Sequence, residues 1–171
     1  MGHYRQSTGH HQQALAVFRE IGDQRGQARA LHNLGTVELL QARPQQASGY
    51  FRQALPRYRQ AGDQTGEART LNNLGTVDGL QRRYQQAAEH HQQALDLFDK
   101  IGDRSGEAEA LNGLGRAHSG LARAYSASGN PGQARRHWLE ALARYTECGA
   151  PEADQVRAEL ATPDGQGYLT P

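Results

Sequence analysis

The fold is decided by residues 69–108, which read RTLNNLGTVDGLQRRYQQAAEHHQQALDLFDKIGDRSGEA. Laid over residues 29–68 without a gap, this stretch matches 21 of 40 positions, including a shared Asn-Leu-Gly-Thr-Val run. Residues 1–28 match residues 81–108 at 14 of 28 positions in the same frame. A repeat of this length is typical of solenoids, in which each unit leaves an apolar face that only its neighbour buries. The sequence therefore predicts a repeat array.

Apolar residues within one unit recur at helical spacing. Leu71, Leu74 and Val77 follow one another at intervals of three, and a second series with intervals of three and four begins at Ala87. This pattern predicts two amphipathic helices per unit. Small residues such as Gly75 and Ala87 are expected where the two helices cross closely, because a larger side chain would push them apart.

The units are joined by a turn of the pattern Ile-Gly-Asp-x-x-Gly-Glu-Ala, which occurs three times, with Gln27 in the place of Glu in the first turn and Ala61 in the place of Ile in the second. The glycine suits the left-handed residue that ends a helix, and the aspartate suits the N-cap of the next helix. The residues concerned are Gly22, Gly62 and Gly102, followed by Asp23, Asp63 and Asp103.

One unit carries Leu71, Leu74-Gly75, Tyr84, Ala87, His91 and Ala94 in that order. This order resembles the tetratricopeptide repeat (TPR) family, although the family unit is about 34 residues long. Units of forty residues look like those of kinesin light chains and of many bacterial signalling regulators. The resemblance implies an all-α TPR α-solenoid, a right-handed superhelix of antiparallel helix pairs with about eight helices.

The repeat frame divides the chain into an array and a C-terminal segment. The predicted parts are a TPR array over 1–148, made of a half repeat 1–22, repeats 23–62, 63–102 and 103–148 with a seven-residue insertion, then a capping helix 149–161 and a flexible tail 162–171.

The last repeat aligns in two registers that start seven residues apart, with Leu114 or with Leu121 in the same place. Seven residues are two helical turns, so we expect a helix from about Arg104 to Ser128 that is ~10 Å longer than its counterparts. This helix should protrude, or kink at one of the glycines 113, 115 or 120. A docking or dimer surface is one reading of the insertion, and a neutral duplication is the other.

Residues 3–21 correspond to the second helix of a unit whose first helix would lie before Met1. We therefore expect the chain to be the C-terminal part of a longer protein. On this hypothesis the face formed by Leu15 and Phe18 is poorly covered.

Charge and cysteine content exclude several classes of function. The 19 basic and 18 acidic residues are mixed along the chain and give a net charge of +1, so direct contact with nucleic acid or an anionic membrane is not expected. Cys148 is the single cysteine, which excludes an intramolecular disulfide and fits a reducing cytoplasm. No window approaches the apolar length of a membrane span. A cytoplasmic protein is expected.

Neither catalysis nor metal binding is predicted. Histidines occur in the pairs His10-His11 and His90-His91. The two side chains of a pair point about 100° apart on a helix, and the two pairs lie two repeats from each other, which does not suit a metal site. Phosphate-loop, nucleophile-elbow and zinc-protease motifs do not occur. The sequence predicts no enzyme, no catalytic residue, no metal and no cofactor.

The resemblance implies a concave groove lined by the first helix of each pair. Its lining positions are polar, and their amides and guanidinium groups could grip an extended or helical peptide with some acidic character. Solvation alone is the other reading of these side chains. For Asn33 and Asn73, beside Leu-Gly, packing between repeats is preferred to ligand contact. The predicted groove residues are Arg29, His32, Thr36, Arg69, Asn72, Thr76, Glu109, Asn112 and Arg116.

The predicted function is therefore a protein- or peptide-binding scaffold. Residues 129–160 resemble the end of the repeat region in actinobacterial SARP-type transcriptional regulators, which implies an interaction module within a larger bacterial signalling or transcriptional regulator. A receptor for a small signalling peptide and a dimerisation module that forms a homodimer are the alternatives.

Overall fold

The computed structural model describes residues 2–161, with the side chains of residues 4–161, and the predicted tail 162–171 lies outside them. Within this range the chain forms helices and no strand, which confirms the all-α prediction. The helices are α1 Gly2–Glu20, α2 Gln24–Leu40, α3 Pro44–Gln60, α4 Gln64–Leu80, α5 Tyr84–Ile101, α6 Arg104–Ala127, α7 Pro131–Glu147 and α8 Glu152–Ala161.

The helices stack as a solenoid. Each helix packs on the next one along the chain, and in addition α2 contacts α4 and α4 contacts α6. These three inner helices therefore lie side by side along one face. The α2, α4 and α6 helices begin forty residues apart, as the sequence repeat requires. The core is a series of small clusters between neighbouring helices, such as Ala68, Leu71, Ala94, Phe98 and Ala110.

The turns between units have the predicted chemistry. Gly22, Gly62 and Gly102 are left-handed, with φ of 72°, 64° and 72°. The following aspartates cap α2, α4 and α6, because each carboxylate accepts a hydrogen bond from the backbone N–H three residues on, at 2.8, 2.9 and 3.0 Å. These two features, left-handed glycine and aspartate N-cap, turn the chain within three residues.

The turns inside the second helix pair depend on a buried carboxylate. Asp78 is 2% exposed, and it accepts hydrogen bonds from Arg83 Nε at 2.9 Å and from the ring of His90 at 2.7 Å. Arg82 between them is left-handed at φ 59° although it is not glycine. The paired Asp78 holds the turn between α4 and α5 in a conformation that L residues disfavour.

The long helix expected at the insertion is present as α6, with 24 residues against 17 in α2 and α4. Its two added turns do not protrude as free helix. Gly120 lies against the Tyr84 ring of α5, and Ala122 is buried with Trp138 and Tyr145 of α7. Of the two expected outcomes, protrusion is not observed, because small residues let α5 and α7 pack on the extension. The kink at one of the glycines stays a prediction.

The expectation of a poorly covered Leu15 and Phe18 was also wrong. Leu15 is 6% exposed and packs with Leu31 and Leu34 of α2, and Phe18 packs against the same cluster. The large apolar side chains that α1 exposes to solvent are instead Tyr4, 41% exposed, and Val17, 53% exposed.

Candidate functional site

Polar side chains of the three inner helices border two adjoining cavities, which we call the groove. The first cavity, of about 300 Å³, lies between α2, α4 and α6, and the second, of about 510 Å³, lies between α4 and α6. They share Asn72, Asn73, Ser105 and Glu109. Eight of the nine predicted groove residues line one or both: His32, Thr36, Arg69, Asn72, Thr76, Glu109, Asn112 and Arg116. Their role in binding a ligand stays a prediction.

Arg29 is the predicted residue that the structure does not bring to either cavity. Its guanidinium carbon lies 5.8 Å from the centre of the Phe18 ring on α1. At this distance the cation is attracted by the face of the ring. Arg29 thus stacks on Phe18 of α1 and lines neither groove cavity.

His32 is held between α2 and α4 by hydrogen bonds on both ring nitrogens. Thr70 Oγ1 donates to the carbonyl of Gly66 at 2.7 Å, so it accepts from His32 Nδ1–H at 2.9 Å. Asn73 Nδ2 then donates to His32 Nε2 at 3.4 Å. Burial, with a contribution from Arg69, lowers the pKa of His32 to about 4. This histidine is neutral at pH 7, and its hydrogen-bonding groups are used between repeats.

The side chain of Asn72 also makes a hydrogen bond within the protein. Its Oδ1 lies 2.7 Å from Nδ1 of His91 on α5, a distance at which the ring N–H donates to the amide oxygen. Asn72 also lines both groove cavities. Burial, and next the charges of Arg116 and His90, lower the pKa of His91 to about 4. The bond to a neutral ring fixes the orientation of Asn72 in the groove.

Charges of both signs line the groove. Arg69 on α4 lies 3.9 Å from Asp103 at the start of α6, and both side chains are partly in solvent. Glu109 and Arg116 follow on α6, seven residues or about 10 Å apart. Because Arg69 is balanced by Asp103, the end of the groove near Arg116 is its more positive part.

An apolar pocket of about 210 Å³ adjoins the groove between α4, α5 and α6. It shares Thr76 and Arg116 with the larger groove cavity. Its other lining residues are apolar or small, apart from His91 and the hydroxyl of Tyr84: Gly75, Gly79, Leu80, Tyr84, Ala87, His91, Gly113 and Ala117.

Sequence reasoning missed three parts of this site. Asn73 was expected to pack between repeats, which its contact to His32 agrees with, but it also lines both groove cavities. Ser105, in the first turn of α6, lines both as well. The apolar pocket was not predicted. A signal for it exists in the repeat alignment, where Gly79 stands in the place of Leu39.

Neither a metal cluster nor a membrane-spanning helix occurs in the part of the chain that the structure describes. Residues 2–161 contain no group of three or more His, Cys, Asp or Glu that could hold a metal ion. None of the helices among them combines the length and apolar character that crossing a membrane requires.

Comparison of the sequence with protein families identifies the class. A tetratricopeptide repeat model matches residues 1–60 and 66–121, and a second model of the same repeat matches residues 119–147. The chain therefore belongs to the tetratricopeptide repeat family. Its repeats form a protein-interaction scaffold, and the fold is a non-catalytic one. The sequence matches none of the curated proteins with which it was compared.

Two solved structures show the same fold. One is a Signal Transduction ATPase with Numerous Domains (STAND) protein with a tetratricopeptide repeat sensor from Pyrococcus horikoshii, with a TM-score of 0.62 and 16% identity. The alignment covers 92% of this chain and 27% of that one, so this chain spans about a quarter of the STAND protein. The other is BtubC (BKLC) from P. vanneervenii, with a TM-score of 0.63 and 19% identity over 99% of this chain and 77% of that one.

Proposed function

We propose that this chain binds a peptide segment of a partner protein, extended or helical, in the groove. One observation carries the proposal: eight of the predicted groove residues border two adjoining cavities. They come from α2, α4 and α6, which are distant in sequence. Because the groove extends over three helices, it offers contacts to several consecutive residues of a ligand. Its polar lining suits a main chain, whose N–H and C=O groups must be satisfied.

The hydrogen-bond inventory supports peptide binding by α4 and α6. Asn112 and Ser105 line the groove with amide and hydroxyl groups, and the NH₂ of Asn72 adds two donors. Because His91 holds Asn72 in place, less side-chain entropy is lost when Asn72 binds a ligand. Preorganised amides of this kind favour a defined ligand register over loose association.

The larger setting of this activity belongs to the proposal too. Residues 129–160 resemble the end of the repeat region of SARP-type regulators, and the STAND protein similar in fold carries a tetratricopeptide repeat sensor. The resemblance to SARP-type regulators implies repeats joined to other domains, and the STAND protein by its name combines an ATPase with a repeat sensor. We therefore propose that the chain is the interaction module of a larger signalling or transcriptional regulator, with the partner segment as its input.

Selection from a randomised peptide display library tests the binding activity. Peptides enriched on the immobilised protein are synthesised, and their affinity is measured by fluorescence anisotropy. Asn112→Ala and Asn73→Ala each remove one polar side chain from the groove, and we expect a loss of about three- to tenfold per variant. Gln93→Ala, at an exposed position of α5 outside the groove, is the matched control and should bind like the wild type.

The proposal fails on either of two results. One is a library that yields no peptide with saturable binding to the folded protein. The other is a set of peptides whose affinity is the same for the two groove variants and for the control, because such peptides would bind elsewhere on the solenoid.

A further inference from the structure

The apolar pocket distinguishes the second repeat from the first. The corresponding positions of the preceding unit have numbers lower by forty. Leu39 is there at the position of Gly79, and Phe51 is at the position of His91. There, Leu39 and Phe51 pack together in one cluster with Ala47, Leu74 and Val77. The same space in the second repeat lacks the leucine and has a smaller ring at position 91, while Tyr84 stands in the place of Pro44 and forms one wall.

Missing side-chain volume therefore creates the pocket. A Cβ at Gly79 would meet no atom within 4 Å, which shows open space beside this helix position. On α6, Ala117 replaces a valine of the preceding unit. Gly113 stands in the place of Asn73 and makes room for the smaller His91 ring, which lies 2.4 Å from where a Cβ at Gly113 would be. The reductions in side-chain size at Gly79 and Ala117 converge on one place, and the backbone helices around it keep the repeat geometry.

The pocket suits an apolar group. The neutral His91 is 3% exposed at one wall, and Leu80 at another wall is 61% exposed, so apolar surface is left uncovered. An apolar cavity of about 150 Å³ is known to accept a benzene molecule, and the volume here is about 210 Å³. An aliphatic side chain of the size of leucine or methionine fits this space.

The charge beside the pocket is positive. Arg116 borders both the pocket and the groove and is exposed, while no aspartate or glutamate is among the pocket's lining residues. A ligand that continues from the pocket into the groove must pass this guanidinium. A carboxylate next to the anchored side chain would form a charge-assisted hydrogen bond there.

We propose that the apolar pocket is the anchor site of the groove, and that it takes an aliphatic side chain of a partner peptide in which an acidic residue lies beside it. The inference rests on the proposed peptide binding and adds which residues decide the choice of ligand. Specificity then resides in the second repeat, because Gly79 leaves there the space that Leu39 fills in the first.

Filling the pocket from within tests this inference. Gly79→Leu installs the side chain of the preceding unit in open space, and leucine favours a helix over glycine, so the variant should fold at least as well as the wild type. Gly49→Leu is the matched control, since Gly49 is also a helical glycine with no atom within 4 Å of its Cβ and lies outside the pocket. Circular dichroism verifies that both variants are folded.

The probes are the peptides selected from the randomised library, and their enriched sequences are the first result. We expect an aliphatic residue with Asp or Glu beside it. Gly79→Leu should weaken binding about tenfold or more, Arg116→Glu should do the same, and Gly49→Leu should leave it unchanged. Replacing the aliphatic residue of the peptide by alanine should weaken binding to the wild type and have no further effect on Gly79→Leu, because the two changes remove one contact.

Peptides that bind the groove, lose affinity with Asn112→Ala and yet bind Gly79→Leu like the wild type would overturn the anchor site and leave the proposed function standing. A library without any saturable binder would overturn both.

Discussion

Two histidines, His91 buried and His32 partly buried, show how one residue type has different roles in neighbouring repeats. His32 links α2 to α4 through Thr70 and Asn73, and His91 links α5 to α4 through Asn72. The pKa of each is lowered to about 4, chiefly by burial. The sequence placed His32 correctly on the inner face but could not show that both its nitrogens are used. The hydrogen bonds of His32 depend on partners about forty residues away in sequence, and helical spacing alone does not identify them.

Lowering the pH should destabilise the protein through these residues. A histidine in the unfolded chain has a pKa near 6.5, and the two folded histidines have pKa values of about 4. Between these pH values the unfolded state binds more protons, so the free energy of unfolding decreases as the pH is lowered. His91→Phe removes one contribution of up to ~3 kcal/mol. We expect its melting temperature to fall less between pH 7 and pH 4 than that of the wild type. Thermal unfolding followed by circular dichroism gives the comparison.

The reverse exchange is the control for this prediction. Phe51 occupies the position of His91 in the preceding repeat and is fully buried. Phe51→His should make the fall in melting temperature steeper over the same pH range. Equal slopes for the wild type and His91→Phe would show that burial of His91 does not govern its protonation.

Helical glycines in this chain are of two kinds, and only one is required by packing. An added Cβ at Gly35 would lie 2.7 Å from the Phe51 ring, whereas at Gly49 it would meet nothing within 4 Å. Gly35→Ala should lower the free energy of unfolding by about 1–3 kcal/mol, because the ring must move. Gly49→Ala should raise it by up to ~1 kcal/mol through helix propensity. Urea denaturation measures both, and similar values for the two variants would contradict this assignment.

Among the helices, those that start a unit are capped in the same way. The aspartates before α2, α4 and α6 accept a backbone hydrogen bond, and no such side-chain bond is made by Asn130 before α7. Sequence was sufficient here, because the signals for a left-handed glycine and an aspartate N-cap are local. The packing of the α6 extension could not be predicted in this way, since it depends on Tyr84 and Trp138 of other helices.

Removing one cap should cost a defined amount. Asp103→Ala leaves the Gly106 amide without its acceptor, and we expect a loss of about 1 kcal/mol of stability. Asn130→Ala removes a side chain of similar size at the start of α7 and should cost less than about 0.5 kcal/mol. Chemical denaturation of the two variants side by side checks the difference, and a larger loss for Asn130→Ala would be the contrary result.

At the scale of the whole molecule, contacts are confined to neighbouring helices. Deleting α8 uncovers Trp138 and Tyr145, which pack with Ala153 and Val156. Because each unit of a solenoid contacts only its neighbours, the loss should remain local. Amide hydrogen exchange should become faster in α7 of the shortened protein, while α2 and α3 keep their protection. Uniformly faster exchange along the whole chain would indicate a single cooperative unit instead.

The same locality explains how far the site could be predicted. Groove positions follow from helical spacing on the inner helices, which the repeat reveals directly, and eight of nine predicted residues meet there. The apolar pocket follows from the missing side-chain volume at Gly79 and Ala117, whereas a sequence pattern records only the side chains that are present. Only a comparison between units, position by position, would have drawn attention to it.

Repeats that descend from one another by duplication begin with the same side chain at every position. Residues 29–68 and 69–108 still agree at 21 of 40 positions, including the turns and the Leu-Gly contacts that hold the helices. The difference between Leu39 and its counterpart Gly79 alters the space enclosed and leaves the helix scaffold the same. A lineage of such arrays can therefore acquire a new ligand preference in one copy while the other copies preserve the inherited architecture.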